Sequence, residues 1–298
     1  MSAGQIHDLG YKRYVGTRRS LGSRWTVIMR HQLATAWKTW WRYKIWLIAA
    51  LMITAIGAGL MYIATDKTIQ IIAGMSGTQV KFADGALALL VPWYCRIGAL
   101  VAMFVGSTLV AGDVQSGAFT FYFARSMRPR DYVIGKVAAL VILLSLILLA
   151  GPLLLGILRL GLCESTEQVL EALPIVLKAL AVGALATLTY AVVPLGFSAM
   201  IANRRYAMAL WAAYYFVVGT MAAAAGLFIE PVIGAIDLST ALEAVTLRLF
   251  EFRLIGRHVM EIPIGAAVAS IVAQSAIAIG LVAWRVRGAQ HSGIGGSS

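Results

Sequence analysis

Apolar positions along this chain fall in long unbroken blocks. They do not form the short alternating runs of a half-buried sheet. Residues 45–64 make a first block of 20 without a charge. Five more follow at about 87–111, 133–158, 176–202, 206–229 and 262–284. A helix that crosses about 30 Å of hydrocarbon needs roughly 20 such residues. The pattern predicts an all-α polytopic membrane protein with six transmembrane helices, within a domain covering 45–285. A transmembrane barrel would need alternating polar and apolar positions, and the blocks do not alternate. Pro152 falls in the outer half of the third block and Pro194 near the inner end of the fourth.

Outside the blocks the pattern changes in five places. Residues 1–23 have no periodicity and read as a flexible basic tail, and 286–298 form a flexible tail at the other end. Residues 24–44 place Trp25, Trp37, Trp40 and Trp41 at roughly helical spacing among Arg and Lys. That predicts an amphipathic helix lying in the membrane interface. The simpler alternative is a basic extension of the first span. Residues 112–136 are the longest polar interruption between blocks on the side assigned below to the cytoplasm. Residues 230–261 form the largest outer segment. There Leu238, Leu242, Val245, Leu249 and Phe252 recur at intervals of four and three, the mark of an amphipathic helix. It would lie on the outer leaflet, cover an exit path, meet a partner, or simply pack on the spans.

Charge fixes the orientation. Seventeen of the 25 Lys and Arg residues lie before position 45, in 112–136, at Arg204 and Arg205, and at Arg285 and Arg287. The other side has the remaining eight and most of the acid. The positive-inside rule predicts that both termini are cytoplasmic. The net charge of +12 would point to nucleic acid in a soluble protein. With 60% hydrophobic residues and a mean hydropathy of +0.82 it points to anionic lipid, and no nucleic-acid module is present. Two cysteines are too few for a disulfide framework, and no cleavable signal peptide is expected.

Catalytic chemistry is not legible. Gly135–Lys136 is followed by Val137 and lacks the earlier glycine of a phosphate-binding loop, so ATP hydrolysis by that route is excluded. The four histidines are too scattered to bind a metal, and neither a G-x-S-x-G elbow nor an H-E-x-x-H motif occurs. No acidic residue falls between the predicted ends of any span, which argues against a self-powered transporter. Arg96 is the one charge well inside a block. It either snorkels to the headgroups or lines a pathway. If the chain moves something, the energy comes from elsewhere. A partner ATPase would then push on 112–136. In that segment Asp113 or Ser116 is expected to cap a short helix near Gly117. Phe119, Tyr122 and Phe123 would form an aromatic ridge, rimmed by Arg125, Arg128 and Arg130, as interfaces favour.

This segment resembles the cytoplasmic loop of ABC transporter permeases of the second exporter class (ABC-2 type). In that family an acid leaving the second span is followed by a small-residue turn, an apolar helix, a basic residue and a Gly-Lys entering the third span. Asp113, Ser116–Gly117, Phe119–Phe123, Arg130 and Gly135–Lys136 correspond. The family usually has Glu where Asp113 stands, and its Pro lies further ahead of the Arg than Pro129 does here. The resemblance implies a permease subunit of an ATP-driven exporter in a bacterial inner membrane. It would pair with a second permease copy or homologue and with two ABC ATP-binding subunits that hold ATP and Mg; this chain would bind no cofactor. A periplasmic accessory subunit is compatible with the family. The competing classes are a non-transporting membrane scaffold or assembly protein and a membrane-embedded enzyme.

Overall fold

The computed structural model describes residues 23–66, 79–124, 127–252 and 258–294. Six helical stretches among them are long and apolar enough to cross a membrane: Lys44–Thr65, Leu87–Gln115, Pro129–Gly161, Thr166–Met200, Arg204–Phe228 and Ile264–Gln290. No strand occurs among the described residues. The protein is an all-helical, multi-pass membrane protein, as the apolar blocks predict.

Several spans are jointed. Helix α1 is Arg24–Lys38 and α2, the first span, is Lys44–Thr65. The second span joins α3 (Gln79–Phe104) to α4 (Leu109–Gln115) through a 3-10 turn at Gly106–Thr108. A short α5 (Ala118–Ala124) leads to the third span, α6 (Pro129–Leu148) and α7 (Ala150–Gly161). The fourth is α8 (Thr166–Met200). The fifth is α9 (Arg204–Ala213), a π-helical turn at Tyr214–Val218, and α10 (Gly219–Phe228). Then come α11 (Leu238–Leu249) and the sixth span, α12 (Ile264–Ile294).

The joints have local causes. Pro152 has no N–H, and its ring would meet the carbonyl four residues back, so the third span breaks at Leu149. In the second span the Ser107 and Thr108 hydroxyls donate back to the carbonyls of Met103 and Phe104, at 2.6 and 3.3 Å, competing with the helical ladder. The N–H groups of Val110 and Ala111, freed at the joint, donate to Ser198 Oγ of α8 at 2.9 and 3.0 Å. Helix α8 is the centre of the bundle and packs on α3, α6, α7 and α12. Its glycines permit this. A Cβ at Gly196 would sit 2.7 Å from Ala278 Cα, and one at Gly183 2.7 Å from the Leu148 carbonyl oxygen.

Three expectations need correction. Residues 24–44 are not one helix: α1 stops at Lys38, Thr39 is extended and Trp40–Arg42 is a separate 3-10 turn. Tyr43 then anchors the chain, buried, with its hydroxyl donating to the Leu143 carbonyl at 2.8 Å. The fourth span begins ten residues earlier than its apolar block, at Thr166, because Ser165 caps it by accepting the Gln168 N–H. Glu167 and Glu171 therefore ride on the span helix.

The third correction concerns 230–261. The chain does not stay at the end of the bundle. A 3-10 segment, Pro231–Ile236, turns back along α10. A Cβ at Gly226 would lie 2.7 Å from Gly234 Cα, so the two strokes touch backbone to backbone. Asp237 forms the tip, and α11 returns, packing on α3, α8 and α12. A Cβ at Gly219 would be 2.6 Å from Asp237 Oδ1, and Gly219 lies nine residues inside Phe228, roughly 14 Å along the helix. The hairpin thus carries an acidic residue into the span region, where no apolar block contains one. Of the expected amphipathic positions, Leu238 and Leu242 are buried and Val245, Leu249 and Phe252 half-buried. This is packing onto the spans, the simplest of the roles the spacing allows.

Candidate coupling site

The segment 112–136 is a corner of three helices, not an open loop. Helix α4 brings Asp113 to the end of the second span. Gly117, at φ +66°, makes the turn into α5, a conformation that favours glycine. Arg128 is extended, as the residue before a proline must be, and Pro129 opens α6. This geometry sets Asp113 against the first two turns of α6. Lys136 Nζ lies 2.7 Å from Asp113 Oδ2, and Tyr132 Oη donates to the same oxygen at 2.8 Å. Lys136 also donates to the Leu109 carbonyl at 3.3 Å, and its ammonium lies 5.3 Å from the Tyr132 ring centroid. The Lys136 side chain is fully buried and that of Asp113 is 15% exposed.

Asp113 is therefore not a cap for α5. Its carboxylate is committed to α6, and the Ser116 hydroxyl donates back to the Asp113 carbonyl at 3.3 Å. The expected aromatic ridge forms but turns inward. Phe119 stacks on Phe123 at 5.7 Å and meets Tyr132 edge-on at 5.2 Å; Tyr122 lies 5.8 Å from Tyr132. Burial first, and then the Asp113 charge, push the Tyr122 phenol above its ordinary pKa, so it stays neutral. The aromatic residue that α5 presents outward is Phe121, 76% exposed. Arg128 and Arg130 are exposed as well, whereas Arg125 lies outside the described residues.

Helix α1 seals the other side of the corner. Ile28, Gln32 and Ala36, one turn apart, are its buried face, and it packs on α6. A Cβ at Gly135 would be 2.8 Å from the Trp25 carbonyl oxygen and 2.9 Å from Ile28 Cβ, which explains a glycine beside Lys136. Trp25 is half-buried there, while Trp37, Trp40 and Trp41 are exposed. The Lys44 ammonium lies 5.6 Å from the centroids of both Trp37 and Trp40.

Arg96 is remote from this corner. It is exposed, and its guanidinium sits 4.3 Å over the Trp93 ring. Two residues of the corner escape a reading of the sequence. Tyr132 carries a signal, being one helical turn before Lys136 on the same face. Ser198 carries none, because it reaches α4 across 87 and 88 positions of chain.

No family model matches the chain, and a search of curated proteins finds no match.

Proposed function

We propose that the chain is the transmembrane permease subunit of an ATP-driven exporter of the ABC-2 type, coupled to separate ATP-binding subunits through the α4–α5–α6 corner. The observation that carries the reading is the buried Asp113–Lys136 pair, at 2.7 Å, which ties the second span to the third across the two ends of α5. A push on α5 therefore reaches the second and third spans together. The joint at Gly106–Thr108 lies directly above it in the second span, where the helix is already interrupted. Phe121, Arg128 and Arg130 offer an aromatic and basic face to a soluble partner.

In this reading both termini and the corner face the cytoplasm of a bacterial inner membrane. Helix α1 and the turn that follows it, with Trp37, Trp40 and Trp41 outward, lie at the lipid interface. A second permease copy or homologue completes the pathway, and two ATP-binding subunits supply ATP and Mg. The chain itself binds no nucleotide. Purification in mild detergent followed by mass spectrometry tests the reading. A stoichiometric ATPase subunit is expected. Its absence, with the chain intact and folded, would contradict the exporter and favour a membrane scaffold.

A further inference from the structure

A cleft opens beside the corner, between α1, the end of the second span and the start of the fifth. Its volume is about 280 Å³. Its polar lining is basic. Arg42 enters from the turn before the first span, Arg204 from the first turn of α9, and His31 from α1. Neither the Arg42 nor the Arg204 guanidinium has a hydrogen-bond or ion-pair partner among the described residues. The lining acid, Asp113, is already committed to Lys136 and Tyr132. Burial and the facing Arg204 charge hold the Arg42 guanidinium below its ordinary pKa. Two like charges converging in one cleft repel unless an anion lies between them.

The neutral groups agree with an anionic ligand. Gln32 is 9% exposed and lines the cleft, yet its side-chain amide has no partner among the described residues. The hydroxyls of Thr35, Thr108 and Ser116 donate to backbone carbonyls. The free donors are thus guanidinium and amide groups, which suit phosphate oxygens. The position selects the source. Lys44 opens the first span, Gln115 closes the second and Arg204 opens the fifth, so the cleft lies at the level where three spans leave the hydrocarbon. Phe104, Val105 and Leu109 supply an apolar wall on its span side.

We propose that this cleft binds the phosphate of an anionic phospholipid headgroup, held by Arg42 and Arg204 with Gln32 as a neutral donor. The site requires only the membrane-spanning architecture, and stands or falls apart from any ATPase partner. The lipid would bridge the first and fifth spans at the same end of the bundle as the coupling corner.

Native mass spectrometry of the detergent-purified protein, with whatever subunits accompany it, gives the test. The probes are phosphatidylglycerol, phosphatidylcholine and inorganic phosphate. One saturable phosphatidylglycerol is expected, with phosphatidylcholine bound far more weakly. Arg42→Gln and Arg204→Gln should each weaken phosphatidylglycerol binding about tenfold or more, the worth of a hydrogen bond to a charged group. The double variant should lose it. Arg42→Lys should restore part of the binding, which separates charge from damage to the fold. Arg287→Gln, an exposed arginine at the same end of the bundle, should bind as the wild type does. Equal binding by wild type and double variant would overturn the site, as would an equal loss in Arg287→Gln. Inorganic phosphate bound without phosphatidylglycerol would overturn its assignment to lipid.

Discussion

Asp113 and Asp237 are both carried into the helical body of this protein, and they are handled in opposite ways. Asp113, in the corner, is satisfied by residues 19 and 23 positions away on another helix. Asp237, at the tip of the hairpin, is satisfied by the first turn of the helix it caps. It accepts the N–H groups of Ser239 and Thr240 at 3.4 and 2.9 Å and the Thr240 hydroxyl at 2.6 Å. One acid joins two elements and the other finishes one. The difference teaches that a buried charge is a mechanical link only when its partners belong to another element. The corner is thus a tie between spans. The hairpin is a capped insert, held by backbone contact at Gly226–Gly234 and by hydrogen bonds such as Gln274 Nε2 to the Ile236 carbonyl at 3.0 Å.

The largest way to break this comparison is to remove one partner of the tie. Lys136→Met leaves the Asp113 carboxylate without its cation, and should destabilise the protein by about 3–5 kcal/mol. Denaturant unfolding in micelles reads this, and a double variant Asp113→Asn/Lys136→Met should recover much of the loss. Next comes Ser198→Ala, which strips the acceptor from the Val110 and Ala111 N–H groups. It should cost about 1–3 kcal/mol, with faster amide exchange confined to the joint of the second span. Asp237→Ala removes a cap and should cost only about 1 kcal/mol. A loss as large as that of Lys136→Met would erase the distinction between the two acids. Arg96→Gln should have the smallest effect, below about 1 kcal/mol, because its contact is an exposed cation–π pair with Trp93. Loss of transport in that variant with normal expression would make Arg96 a pathway residue.

The six spans were legible because each apolar block is long enough to cross a bilayer, and length is what the bilayer selects. Their ends were less so. Ser165 extends the fourth span beyond its apolar block, since a helix with a cap continues past the hydrocarbon. The depth of the hairpin was illegible in hydropathy: 231–237 mixes Pro, Gly and one acid, and only the close approach of Gly226 and Gly234 shows where it runs. In the corner the right residues stand out, Asp113, Gly117, Phe119 and Lys136. Their directions do not, because a local cap and a bond 23 residues away need the same carboxylate. The aromatic spacing fixes a ridge at Phe119, Tyr122 and Phe123 but not that Tyr132 would draw it inward and leave Phe121 outside.

In the proposed exporter, α5 would meet an ATP-binding subunit through its exposed face. A photo-crosslinking amino acid at position 121, in cells carrying the intact protein, tests this most directly. A crosslinked product that contains an ATP-binding subunit is expected, lost when the reactive residue is moved to the inward position 119. Products containing only lipid or the chain itself, with the same outcome at both positions, would contradict it.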